Sequence, residues 1–369
     1  MARHIYVHIP FCARKCDYCD FYSVASRDLI EDYFAALKKE ILSTEICPDN
    51  NPDEADTVYF GGGTPSIPDA HFITDTLKLI LDRFGISSNA EITIECNPNS
   101  VTFEKFVAYK NAGFNRVSLG IQSLHDDVLK TLGRLHDSKR AVEALDEAFR
   151  AGFTNVSADL MLGIPGQTLE GLLEDGQRLV DLNVTHVSMY SLIIEEGTPF
   201  YSRYKNIEDI VDPDLERRMY HELRDLLADR GLAPYEISNC GRPSLHNMSY
   251  WNAMEYYAFG AGASGYIGDK RFSHAPDIRS YIDDPLCVEV EEIMTPDSKM
   301  SEYVMLRFRT SDGADPEEFK KRFGREVEEL FGDRLDKLTS EGMLEICDGR
   351  YTLTRKGLDF ANLVFEEFI

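Results

Sequence analysis

No run of eighteen apolar residues occurs in the 369-residue chain, which excludes a hydrophobic helix long enough to cross a bilayer. Basic side chains are scarce. With 39 Lys and Arg against 64 Asp and Glu the formal charge is -25, so the chain repels phosphate backbones and no nucleic-acid partner is expected. Most of the eight cysteines lack a paired spacing: Cys47, Cys96, Cys240, Cys287 and Cys347 stand singly, as reduced thiols do and a disulfide framework does not. The opening MARHIYVHIPF is broken by His8 and reads unlike a cleaved leader. Internal repeats and low-complexity tracts are also missing. These absences predict a soluble, cytoplasmic protein, and 43% hydrophobic content suffices for one large core and a smaller one.

What is present is concentrated near the amino end. Cys12, Cys16 and Cys19 lie within eight residues in a C-x3-C-x2-C loop. Four thiolates would close a zinc site or saturate a [4Fe-4S] cluster, whereas three leave one iron of such a cluster free to bind something else. A structural zinc knuckle is the competing reading, and it needs a fourth ligand, for which His8 is at hand.

Short β-branched runs at 4–9, 56–60, 91–95, 116–121, 155–161 and 185–193 alternate with amphipathic stretches at 28–44, 69–84, 102–112, 138–151 and 168–182. The alternation predicts right-handed βαβ units around a parallel sheet, a fold in which function collects at the C-terminal ends of the strands. Each of the first five strand ends offers a candidate. The cysteine loop follows the first run and Gly61-Gly62-Gly63-Thr64 the second; Glu95 closes the third, Gln122 follows the fourth, and Asp159 lies toward the end of the fifth. Singly, each has a plainer explanation: the glycines as a tight turn, the carboxylates as strand-end hydrogen-bond acceptors, and Arg134 as a surface partner for nearby acids.

The cysteine loop, with Tyr18 before its last thiol, resembles the signature of radical S-adenosylmethionine (SAM) enzymes. GGGT, E-x-N-P at Glu95–Pro98, LGIQS, GRLH and DLMLGIPGQT are similar, in order and spacing, to the coproporphyrinogen III dehydrogenase (HemN) branch of that family. The resemblance covers nearly the whole chain. It implies an α/β fold, a partial (β/α)6 barrel of the TIM type with a small winged-helix-like C-terminal domain. It also implies a [4Fe-4S] cluster on Cys12, Cys16 and Cys19, and SAM contacts at Tyr6, Gly62, Gly63, Thr64, Glu95, Gln122, Arg134 and Asp159. Those residue types suit SAM, because carboxylates complement its ammonium and ribose hydroxyls, Arg its carboxylate, and glycines allow close backbone approach. One electron from such a cluster cleaves the sulfonium to a 5′-deoxyadenosyl radical, and an electron donor such as flavodoxin or ferredoxin is implied with it.

One position divides the group. Porphyrinogen-oxidising members carry a further cysteine two residues past the third, and here that place is Phe21. C-DYC-DF-S instead resembles the HemW haem-chaperone family, as does His246-Asn247-x-x-Tyr250-Trp251, which contains the single tryptophan. That resemblance implies haem as a third bound group, His246 as its ligand, and a haem-acceptor protein of the respiratory, membrane-associated kind. It also implies loss of coproporphyrinogen III dehydrogenase activity, the alternative function. Physically, imidazole can ligate haem iron while flanking rings cover the macrocycle, and Cys240 is a rival ligand. Gly260–Gly265 satisfies G-x-G-x-x-G, but GYIGDKRFSHA after it reads as a turn and an extended run, so the dinucleotide reading fails and close-packed backbone is expected. Three regions are expected: 1–200 for the cluster and SAM, 201–295 connecting with the H-N-x-x-Y-W motif, and 296–369 with helices near 298–310, 315–322 and 325–340, a hairpin and one closing helix.

Overall fold

A computed structural model describes residues 4–46, 55–204 and 212–369, leaving Cys47 outside the described residues. The chain opens with β1 (His4–Ile9), α1 (Ile30–Ser43), β2 (Ala55–Gly62), α2 (Ala70–Phe84), β3 (Ile86–Cys96), α3 (Phe103–Ala112) and β4 (Arg116–Gln122). It continues through α4 (Asp126–Thr131), α5 (Ser138–Arg150), β5 (Val156–Leu162), α6 (Leu169–Asp181) and β6 (His186–Ser191). Each sequence-predicted strand and helix of this half is found within a few residues of its expected bounds. Side-chain caps fix several helix starts: Thr102 accepts from Lys105 N, Asp137 from Arg140 N and Thr168 from Gly171 N.

β1 to β6 pair in parallel, in sequence order. Along each strand the two faces differ sharply. Ile5, Val7, Ile9, Val58, Phe60, Ile92, Ile94, Val117 and Leu119 are buried in one large core with the helix residues Leu37, Ile41, Ile73, Leu77 and Ile80. The intervening residues are polar, and they too are buried: His4 and His8 on β1, Thr57 on β2, Glu91 and Thr93 on β3, Arg116 and Ser118 on β4, Ser157 on β5, and His186 and Ser188 on β6. A barrel interior of this type is ordinarily filled with branched aliphatics. Polar groups out of water demand partners, so this interior is built as a hydrogen-bonded network.

The middle segment adds α7 (Pro199–Arg203), α8 (Pro213–Asp229), β7 (Asn239–Gly241), α9 (Leu245–Trp251), β8 (Tyr256–Phe259), β9 (Ser264–Ile267), β10 (Lys270–Ser273), α10 (Ile278–Asp283) and β11 (Glu289–Ile293). Its strands extend the same sheet at both edges, giving eleven in the order β11-β10-β9-β8-β1-β2-β3-β4-β5-β6-β7. β8 runs parallel to β1, while β7 is antiparallel to β6. The sequence pattern predicts only an extended run in this segment. Strands of three to five residues are too short for their alternation to stand out.

The C-terminal unit consists of α11 (Pro296–Arg307), α12 (Pro316–Phe323), α13 (Val327–Ser340), the hairpin β12 (Leu344–Cys347) and β13 (Arg350–Leu353), α14 (Arg355–Asp359) and α15 (Ala361–Glu366). It has its own apolar core around Tyr303, Val304, Phe308, Phe319, Phe331, Leu335 and Phe368. The expected single closing helix is two, because Phe360 leaves helical geometry at φ -122 and ψ 31, and Val364 and Phe368 beyond it are buried. Among the described residues no helix is long and apolar enough to cross a membrane.

Candidate functional site

The cysteine loop leaves the end of β1 and is laced at its base: Cys12 N donates to Val24 O at 3.0 Å, Val24 N to Pro10 O at 2.7 Å, and Cys19 N to Cys16 O at 3.2 Å. Asp17 clamps it from outside, accepting from Arg14 at 3.1 Å and Arg203 at 2.9 Å, while its carbonyl accepts from Phe200 N. All three thiols are half-exposed. Burial raises the Cys19 thiol, and the Cys16 and Cys12 sulfurs add to the effect, so the three lie within electrostatic reach of one another. Among the described residues no three Cys, His, Asp or Glu side chains converge on a single ion. His8, the fourth ligand a zinc knuckle needs, is engaged at both nitrogens, with the Tyr6 hydroxyl at 3.1 Å and Tyr22 O at 3.1 Å. The donor set therefore fits an iron–sulfur cluster better than zinc.

The glycine run after β2 lies directly against this loop. Gly63 N donates to Ile9 O at 3.0 Å and Thr64 N to Phe11 O at 2.8 Å, while the Thr64 hydroxyl stands 3.4 Å from Cys12 Sγ. At Gly62, φ is +108° and a Cβ would fall 2.5 Å from the His8 ring. No other residue fits there without displacing His8.

Facing them are the remaining strand ends. Glu95 is half-buried and accepts from the Tyr59 hydroxyl at 2.7 Å and from the Gly62 amide; desolvation pushes its carboxyl up to about 7 against those two bonds. Asp159, also raised by burial, accepts from Ser118 at 3.2 Å and from Ser188. At Gln122 β4 is irregular and φ is +70°, a costly conformation for a non-glycine residue and one that re-aims its side chain. A Cβ on Gly120 would lie 3.1 Å from the Gln122 amide and 3.4 Å from the Arg134 guanidinium, so the two converge over that glycine. Arg134 donates to Cys16 Sγ at 3.4 Å and to Gly120 O, and its Nε is buried without a partner. It is no surface residue paired with nearby acids.

His246 lies against β2. Its ring is 1% exposed, with Nδ1 2.7 Å from the Thr57 hydroxyl and Nε2 2.8 Å from the Tyr250 hydroxyl, and it stacks on Tyr59 at 5.0 Å. In this arrangement neither nitrogen is free for iron. Cys240 is fully buried in β7, and burial pushes its thiol up to about 12, which disfavours the thiolate that haem iron would take. Gly260 and Gly262 form the β8–β9 turn, where added Cβ atoms would meet Tyr33 and Tyr22, in keeping with close-packed backbone and not with a nucleotide loop.

A radical SAM superfamily model matches residues 6–179, and a HemN C-terminal domain model matches 294–360. The chain is 34% identical to heme chaperone HemW of Lactococcus lactis subsp. lactis, over 99% of this chain and 96% of that protein. It is also 34% identical to heme chaperone HemW of Bacillus subtilis, over 99% and 98%. The chain belongs to the HemW family of radical SAM proteins. Among solved structures, coproporphyrinogen III oxidase (HemN) from Escherichia coli superposes with a TM-score of 0.82 at 21% identity, covering 99% of this chain and 89% of that one, which shows a shared fold.

Within this HemW-family fold, several groups at the site escaped the reading of strand ends. Tyr59 points into the barrel from the middle of β2 and Arg116 from the start of β4, and Asp17 anchors the cysteine loop. The signal was available: T-V-Y-F in β2 and R-V-S-L in β4 alternate polar with apolar although both faces of a barrel strand are buried, so their polar residues had to be paired inside.

Proposed function

We propose that this protein is a cytoplasmic haem chaperone that binds one [4Fe-4S] cluster through Cys12, Cys16 and Cys19, one SAM across the barrel rim, and haem, which it passes to an acceptor protein of the respiratory, membrane-associated kind. The observation that carries this reading is the meeting, at one end of the sheet, of three half-exposed thiols with Thr64, Arg134, Glu95 and Asp159. When bound, the cluster would supply a single electron to the SAM sulfonium. The chain's own residues bind and orient. Arg134 offers its guanidinium to the SAM carboxylate, and Glu95 and Asp159 take its ammonium and ribose hydroxyls. Gly62, Gly63 and Thr64 admit its backbone-like edge, and Tyr6 and Gln122 close the sides. The half-buried setting of most of these groups strengthens each contact by limiting water.

The names of the relatives support haem as cargo, and Phe21 in place of the extra cysteine argues against porphyrinogen oxidation. Phe21, 70% exposed, with exposed Ile193 and Tyr201 at the same end, supplies apolar area for a macrocycle. A cavity of about 340 Å³ beside the cysteine loop is lined by Arg14, Lys130, Arg134 and Arg203 together with Asp17, Asp126 and Asp137, and an electron donor such as flavodoxin or ferredoxin would approach the cluster at this end. By this reading residues 1–200 hold the cluster and SAM, 201–295 support them from the side, and 296–369 pack as a winged-helix-like unit.

The test is anaerobic reconstitution with parallel assays. The expected result is a thiolate-to-iron absorption that dithionite bleaches, SAM binding, a Soret shift on haem titration, and no conversion of coproporphyrinogen III. Conversion to protoporphyrinogen IX would establish the oxidase instead.

A further inference from the structure

The H-N-x-x-Y-W segment forms α9, and its histidine is turned inward. His246 Nδ1 and Nε2 are taken by Thr57 and Tyr250, and its backbone N–H donates to Glu91 Oε1 at 3.3 Å. The imidazole face lies on Tyr59 at 5.0 Å and 24°, and on Tyr6 at 6.4 Å and 28°. Tyr59 in turn donates to Glu95 at 2.7 Å. There is little slack in this chain of contacts. A Cβ at Gly61 would stand 2.9 Å from Tyr59 Cε1 and 3.1 Å from Glu95 Cδ, so phenol and carboxylate are both pressed against that glycine's backbone. The far end of α9 is tied to the C-terminal unit: Arg309 lies over Trp251 at 4.3 Å, Arg307 donates to Asn252 Oδ1 at 2.6 Å, and Arg322 donates to the carbonyls of Asn252 and Ala253 at 2.6 and 2.7 Å.

We propose that His246 is a positioning residue for Glu95: held by Thr57 and Tyr250, it fixes the Tyr59 ring and through it the carboxylate, and it does not ligate haem iron. The consequence for SAM rests on the function proposed above, but the positioning itself does not. The charged and titratable groups facing Glu95 are Tyr59, Asp159, Arg116, Cys96, Tyr6, Tyr190 and Tyr250. Of these, Tyr59 is the one that donates a hydrogen bond to the carboxylate, and that bond opposes the effect of burial. Loosening the ring should therefore make Glu95 harder to ionise.

The experiment reads the Glu95 carboxyl by infrared difference spectroscopy across pH, in full-length reconstituted protein without SAM, with Glu95→Gln assigning the band. Tyr59→Phe should move the midpoint upward, His246→Ala should move it the same way by a smaller amount, and His246→Phe, which keeps a flat ring against Tyr59, should return it toward wild type. Thermal melts check folding, and Thr57→Val, which removes one tether of the imidazole, gives a milder variant if His246→Ala does not fold. An unchanged midpoint in folded His246→Ala or Thr57→Val protein overturns the proposal. Loss of the haem Soret shift in His246→Ala with the Glu95 midpoint unmoved would overturn it too, making His246 the haem ligand. Shifted midpoints in a protein that binds no SAM would leave the positioning role standing and remove the SAM reading.

Discussion

The rim of the barrel at Arg134 and the wall made by α9 at His246 treat their polar atoms in opposite ways. At the rim the cysteines are half-exposed and the Arg134 Nε lies buried without a partner. In the wall, both nitrogens of His246 are satisfied and Glu91 accepts from the Ser244 hydroxyl and the His246 amide; the open donor of α9, Trp251 Nε1, lies at its far end, where Arg309 covers the indole. A buried donor left open costs free energy unless a ligand arrives to meet it, whereas a saturated network holds a shape. The rim is therefore built to receive something, and the wall to keep the rim's carboxylate in place. Sequence distance concealed the relation: Tyr59 and His246 are far apart in the chain and in contact in space.

The comparison breaks most severely at the cysteines. Cys16→Ala should abolish cluster retention, because two thiolates do not hold the cluster in water. Iron content equal to that of wild type would refute this. His246→Ala, a change in the wall, should keep its iron while SAM binding weakens.

Glu95 is where the two regions meet, and its charge state gives the next largest effect. Replacing a charge-assisted contact by a neutral one in Glu95→Gln should weaken SAM binding by roughly 10- to 100-fold, about 1.5–3 kcal/mol, measured by isothermal titration at pH 8. In wild type, affinity should rise as pH rises through about 7, since the carboxylate is the form that pairs with the SAM cation, and Glu95→Gln should lose this dependence. Folding stability should move the other way. With its carboxyl raised in the fold from an ordinary value of 4.5, Glu95 contributes stability that is full below that value and lost as pH rises to about 7. A denaturation series from pH 4 to 8 should show a flatter profile in Glu95→Gln than in wild type.

A smaller effect is expected at the hinge between cysteine loop and glycine run. Gly62→Ala must accept φ +108° and a methyl 2.5 Å from the His8 ring, which should destabilise the fold by about 1–3 kcal/mol and displace the Tyr6–His8 pair. A melting curve superimposable on wild type would show that the glycine serves only the ligand.

The barrel half was legible because its strands and helices are long enough to show their periods, and because the cysteine spacing has few other uses. Glu95, Gln122 and Asp159 were found by a rule of folds, that strand ends carry function. Tyr59 and Arg116 were not, since the rule looks at C-terminal ends and these residues stand in the middle of β2 and at the start of β4. His246 was singled out by composition: a histidine followed by aromatics has the make-up of a haem site, and nothing local to LHNMSYW reports that Thr57 and Tyr59, from another part of the chain, join Tyr250 around the ring. β7 to β11 escaped because three to five residues carry too little alternation to register.

The mildest change tests whether the wall depends on the C-terminal unit. Arg309 stacks on Trp251 at 4.3 Å, and a cation over an indole at a partly exposed site is worth roughly 0.5–2 kcal/mol. Arg309→Gln should lower stability by about that amount. It should leave cluster content untouched and change SAM affinity little, because Arg307 and Arg322 still grip the end of α9 through Asn252 and Ala253. Removing Arg309 and Arg322 together leaves one of those anchors, so the double variant should weaken SAM binding by more than the sum of the single changes. Additive effects in that cycle would mean that α9 holds Glu95 without help from the C-terminal unit, and that the two regions join only at Tyr59.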